Sequence, residues 1–273
     1  MASVDEASAI PSKNSKASVK TQSELVFEQY LESQNLNWSR IPESSRKQPD
    51  YRITQELTCV FEVKEFADPK IKPVGGYNPC PPIKEKIQAA SEKFKYYRND
   101  CCALVLWNTS IYRSAIPEIV LAAAFGEKVY MNRPPLGAQP STFHFSGRAE
   151  LRPDCNTRLS AIVILAPYQL NHVRLEVWRR LDAKRQRGEE IQPSDQFDLL
   201  AQVESEGIVG NSYEGTIRTI VLENPYAKIA FPHDLFVGAF DQHWRMESGC
   251  FRLSFVGAEL QRLESEGVPT IFW

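Results

Sequence analysis

QPDYRITQELTCVFEVKEF, Gln48 to Phe66, is the stretch on which the reading of the whole chain turns. Two runs rich in β-branched and aromatic residues, DYRIT and TCVFEVKEF, flank the short polar break QEL, which is the pattern of a β-hairpin. Alternate side chains of a strand share a face, so Cys59, Phe61 and Val63 point one way and Glu62 and Lys64 the other. A turn near Glu56 places Asp50 opposite Glu62. Three charged groups then gather at one spot on the sheet.

Apolar periodicity changes on both sides of the hairpin. Upstream, Ser23 can cap a helix whose stripe is Leu25, Val26, Tyr30 and Leu31, with Asn35 as its stop. A short strand at Leu36 to Ile41 leads through PESSRKQP into the hairpin. Downstream, ADPKIKPVGGYNPCPP, Ala67 to Pro82, is a Pro/Gly-rich loop of a length that often carries function. A helix from Ile83 to Tyr97 follows, with Ile83, Ile87, Ala90, Phe94 and Tyr97 at three- and four-residue spacing. ALVLWN, Ala103 to Asn108, then reads as a buried strand. The resulting order is helix, strand, strand, strand, helix, strand.

The remainder of the chain is read more coarsely. A helix is expected from Ile116 to Gly126, a buried strand at Leu159 to Ala166, and an amphipathic helix with a basic end near 170 to 189. Strands TIRTIVLE and FRLSFVG are expected toward the C-terminus, separated by the loop NPYAKIAFPHDLF. The first 20 residues, rich in Ser, Lys and Ala, are expected to form a flexible tail. Residues 21–273 then form one domain, with a core at about 22–108 and a C-terminal elaboration from 109 to 273.

Composition narrows the class. Hydrophobic residues at 42% and charged residues at 24% are those of a soluble globular protein. A formal net charge of -2 argues against non-specific, charge-driven nucleic-acid binding, while leaving room for a locally basic cleft. The six cysteines contain no CxxC pair, which argues against structural zinc. The four histidines are scattered, and no apolar run is long enough to span a bilayer. The expectation is a cytoplasmic protein that makes no use of a membrane.

Pro49-Asp50, followed by Glu62-Val63-Lys64, resembles the motif that names the PD-(D/E)XK nuclease superfamily. The element order of residues 22 to 108 is also similar to that superfamily's core. The resemblance implies a restriction-endonuclease-like α/β fold, a mixed sheet flanked by helices in core order αβββαβ. It further implies a metal-dependent nuclease, hydrolysing phosphodiester bonds with Mg²⁺ or Mn²⁺. Asp50 and Glu62 would bind the metal, and Lys64 would position the nucleophile.

In many members an acid on the first helix completes the site, which nominates Glu24 as a third metal ligand over Glu28. IKEKIQAASEKFK resembles the segment that follows the catalytic hairpin, and Gln88 is the residue expected to reach the site. Lys86, Lys93 and Lys95 read as solubilising charge. The partner implied is nucleic acid, DNA before RNA, and a homodimer is compatible with the family. VWRRLDAKRQR adds Arg179, Arg180, Lys184, Arg185 and Arg187 as candidate phosphate contacts. The rival is a catalytically silent interaction module on the same fold.

Overall fold

The computed structural model describes residues 20–42, 44, 46–66, 80–108, 116–126, 129–132, 141–143, 149–192 and 194–268. The expected N-terminal tail, up to residue 19, and residues 67–79 of the expected Pro/Gly-rich loop lie outside the described residues. The first half contains α1 (Gln22–Ser33), β1 (Trp38–Arg40), β2 (Tyr51–Thr54), β3 (Thr58–Phe66), α2 (Cys80–Phe94) and β4 (Cys101–Asn108). After these come α3 (Pro117–Phe125), β5 (Val129–Asn132), β6 (Ser141–Phe143), β7 (Ala161–Asn171), α4 (His172–Gln186) and α5 (Asp195–Ser205). The chain continues through β8 (Asn211–Glu223), β9 (Gln242–Glu247), β10 (Cys250–Val256) and α6 (Ala258–Ser265). No described helix is long and apolar enough to cross a membrane.

One mixed ten-stranded sheet runs in the order β1-β2-β3-β4-β7-β8-β9-β10-β5-β6. The hairpin register is Tyr51 opposite Phe61, Arg52 opposite Val60, Ile53 opposite Cys59 and Thr54 opposite Thr58. The regular ladder ends at Tyr51, and Asp50, one residue before, donates its N–H to Phe61 O at 2.8 Å. β3 then pairs in parallel with β4, placing Glu62 beside Leu104 and Lys64 beside Leu106. β4 in turn pairs in parallel with β7, so β3 and β4 are interior strands covered on both faces.

Each face of β3 has its own helix. Val26, Phe27, Tyr30 and Leu31 of α1 pack with Tyr51, Cys59, Phe61 and Val63. The Phe27 ring lies 5.4 Å from Tyr51 and 5.6 Å from Phe61, centroid to centroid. On the opposite face, Ile83, Ile87, Ala90 and Phe94 of α2 pack with Val60, Phe66, Cys102, Leu104 and Leu106. The face that carries Glu62 and Lys64 is therefore a helix-covered layer bounded by Val60 and Phe66.

Local details depart from the sequence reading for physical reasons. Thr21, rather than Ser23, caps α1, because Thr21 and Glu24 form a reciprocal capping box. Phe27 replaces Leu25 in the buried stripe, and Leu25 is 40% exposed. α2 starts three residues early, since Pro81 and Pro82 sit in its first turn, where a missing N–H costs no helical bond. β7 extends to Asn171, into the segment expected to begin α4. All six cysteines are thiols, and Cys59, Cys80, Cys101 and Cys102 are buried.

The first and second halves are joined by a buried polar tie. Tyr30 of α1 donates its hydroxyl to Asp241 Oδ2 at 2.5 Å, while Thr219 N and Gly238 N donate to the same carboxylate at 2.7 Å each. Asp241 is 1% exposed, so each of these bonds replaces water that cannot reach it. Tyr30→Phe is expected to destabilise the fold by about 1–2 kcal/mol, measured by urea unfolding. Burial raises the Asp241 carboxyl above its ordinary pKa in spite of these donors. A group so raised contributes stability fully below its unfolded pKa and loses it as pH rises through the folded value. Asp241→Asn should flatten that acidic part of the stability curve, and an unchanged pH dependence would contradict the assignment.

Candidate active site

The hairpin and α2 together build a charged cluster. Asp50 precedes β2 and points its Oδ2 at Val63 N, which donates to it at 2.8 Å. Glu62, one residue beyond the last register pair Tyr51–Phe61, is 0% exposed. Lys64 Nζ lies 2.5 Å from Glu62 Oε1. Lys93 Nζ lies 2.6 Å from Glu62 Oε2 and 3.8 Å from Asp50 Oδ1. Two carboxylates and two ammonium groups thus meet at one position between β3 and α2.

Electrostatics follow from that burial. Loss of water, and then the nearby Asp50 carboxylate, raise the Glu62 pKa against the opposing pull of Lys64 and Lys93. For Lys64, burial disfavours the charged form, but Glu62, Asp50 and Glu24 outweigh it and hold its pKa above the ordinary lysine value. Lys64 is therefore a firmly protonated cation. Glu62 Oε1 is buried, and the Lys64 ammonium is its partner.

A cleft of about 440 Å³ opens beside this cluster, lined by Thr21, Glu24, Arg40, Arg46, Asp50 and Lys93 among others. Glu24 shares the cleft with Asp50, whereas Glu28 is held by Lys20 at 2.6 Å and by the Tyr51 hydroxyl at 2.9 Å. Both oxygens of Glu24 are already engaged. Oε1 accepts from Arg40 at 2.6 Å, and Oε2 accepts from Thr21 N at 2.6 Å. Among the described residues, no group of three His, Cys, Asp or Glu side chains comes together in a metal-binding arrangement.

Asp50 and Glu62 nevertheless suit a hard divalent cation. They offer carboxylate oxygens, the donor chemistry such an ion prefers, with the Lys64 ammonium on Glu62 Oε1 and that of Lys93 on Oε2. Glu24 fits less well as a third ligand, because Arg40 and the capping box occupy it.

Two other expectations need correction. Gln88 is exposed and donates to Glu150 Oε2 at 3.0 Å, on the side of α2 turned away from the apolar stripe. Lys93, which reads in the sequence as solubilising charge, is the α2 residue that reaches the carboxylates. Its signal lies in the spacing: Lys86 and Lys93 are two helical turns apart along one edge of the Ile83, Ile87, Ala90 and Phe94 stripe. Lys86 follows the same alignment, its ammonium lying 5.9 Å from the Phe66 ring.

The basic end of α4 is largely spent on protein carboxylates. Arg180 meets Glu176 at 3.0 Å and Glu206 at 2.5 Å, Lys184 meets Asp195 at 3.1 Å, and Arg187 meets Glu189 at 2.5 Å. Arg180, Lys184 and Arg187 thus brace α4 against α5 and its own turn, while Arg179 and Arg185 are exposed.

The buried cluster predicts strong energetic coupling. Glu62→Gln should destabilise by about 2–4 kcal/mol, because two cations lose their partner. Combining it with Lys93→Met should recover part of that loss in a double-mutant cycle followed by urea unfolding, and strict additivity would show that the two side chains do not interact. Comparison with protein-family models, with curated proteins and with solved structures finds no match.

Proposed function

We propose that the protein is a metal-dependent nuclease that hydrolyses phosphodiester bonds, with DNA as its substrate. The observation that carries this reading is the convergence of Asp50, Glu62 and Lys64 at the open end of the hairpin, beside an open cleft with a cationic rim. The run α1, β1, β2, β3, α2, β4 and the positions of these three residues within it support membership in the PD-(D/E)XK superfamily.

Bound Mg²⁺ or Mn²⁺ would neutralise phosphate charge and acidify a water. Asp50 and Glu62 would hold the ion through hard oxygen ligands. Lys64, kept protonated by the surrounding carboxylates, would orient the attacking water and offset negative charge growing on the phosphate oxygens. Arg46 lines the cleft and lies 6.0 Å from the ring of Tyr96, and Lys95 is 5.2 Å from the same ring. Tyr96 is 62% exposed and sits beside the cleft next to Arg46, so the cleft's cations for a phosphate backbone have a neighbouring ring on which a base can stack.

The second reading is a catalytically silent nucleic-acid-binding or interaction module. Its supporting observation is charge balance: Lys64 and Lys93 offset Asp50 and Glu62, and Arg40 saturates Glu24. A cleavage assay separates the two readings, run with Mg²⁺ or Mn²⁺ on single- and double-stranded DNA and RNA. Metal-dependent cleavage is expected, with Lys64→Ala slowing turnover by about a hundredfold or more while affinity in Ca²⁺ barely changes. Binding without cleavage on every substrate would establish the silent module, and preferential cleavage of RNA would reassign the substrate.

A further inference from the structure

We infer that Lys93 is the built-in counter-cation of the site: it holds the position between Asp50 and Glu62 that a shared divalent ion would take, and it couples metal entry to arrival of a phosphate. This role rests on the metal-dependent reading above. Its starting point is charge. Asp50 and Glu62 contribute two negative charges, which Lys64 and Lys93 cancel. A divalent ion added to this neutral cluster leaves two uncompensated positive charges in a poorly hydrated place, which is unfavourable unless a cation leaves or an anion enters.

Geometry selects Lys93 as the cation that yields. Lys64 pairs with Glu62 at Oε1, on its own strand. Lys93 contacts the other Glu62 oxygen at 2.6 Å and faces Asp50 at 3.8 Å, so it is the lysine that spans the two carboxylates. It also lines the cleft, which gives its ammonium a route toward incoming phosphate. A lysine is a mobile point charge on a four-carbon stem, suited to exchanging one anion for another. A phosphodiester in the cleft would draw Lys93 outward and bring a negative charge of its own. Both changes favour the metal.

Isothermal titration calorimetry with Mn²⁺ alone, without nucleic acid, tests this. Lys93→Gln is expected to bind Mn²⁺ about tenfold or more tightly than wild type. Lys93→Arg, which keeps the charge, should bind as weakly as wild type, and adding Glu62→Gln to Lys93→Gln should abolish the tight site. Equal Mn²⁺ affinity in wild type and Lys93→Gln would overturn the role of Lys93 while leaving a metal site standing. Absence of Mn²⁺ binding in both would overturn the role of Lys93 and the metal-dependent reading together. Should Lys93→Gln fail to fold in metal-free buffer, Mn²⁺ must restore folding by replacing the missing ammonium, and a variant that stays unfolded in Mn²⁺ would overturn the proposal.

Discussion

A fully buried carboxylate at Glu62 is the constraint on which the site depends. Removing an isolated carboxylate from water costs several kcal/mol even after the surroundings relax. Glu62 meets that cost with two lysines from different elements, Lys64 on its own strand and Lys93 on α2. This ties the position of α2 over β3 to charge as well as to apolar packing. Ile83, Ile87, Ala90 and Phe94 supply most of the contact, and Lys93 fixes which turn of the helix lies over Glu62.

The hairpin performs the corresponding task in the sheet plane. Antiparallel register ends at Tyr51 and Phe61; just beyond it the Asp50 N–H bonds Phe61 O, and the Val63 N–H holds the Asp50 carboxylate in place. On the other face, α1 fixes the hairpin through Phe27 and Tyr30, and Tyr30 reaches on to Asp241 in the C-terminal half. The cluster thus rests on a scaffold spanning both halves of the chain. Such support is what a site needs if reacting groups are to stay within a fraction of an ångström of their working geometry.

Much of this is legible in the sequence, and the exceptions have definite causes. The hairpin that brings Asp50 near Glu62 follows from the short QEL break and period-two alternation, both local, although the ladder ends at Tyr51 and Phe61. The partner of Glu62 across the layer is not local. The spacing in IKEKIQAASEKFK puts Lys86 and Lys93 on one edge of the stripe, but only the tertiary packing says that this edge meets the polar pair on β3, so the sequence points to Gln88 where Lys93 makes the contact. Glu24 reads as a metal ligand because of its place on the helix, yet Thr21 and Glu24 spell a capping box, and that local bond has claimed the carboxylate. α5, β9 and α6 are absent from the sequence reading; α5 and α6 are short helices that bury only Leu199 and Val203, and Leu260 and Leu263. The strand QHWRME is paired with both β8 and β10, and its tertiary surroundings override its polar composition.

Asp50 and Glu62, on this reading, form the seat of a divalent metal beside Lys64. Anomalous scattering from crystals grown with Mn²⁺ and a short DNA oligonucleotide tests that most directly. An anomalous peak is expected within ligand distance of both carboxylates, with the Lys93 ammonium moved toward the cleft. Oligonucleotide density in the cleft without such a peak, and with Lys93 still bridging Glu62 and Asp50, would contradict it.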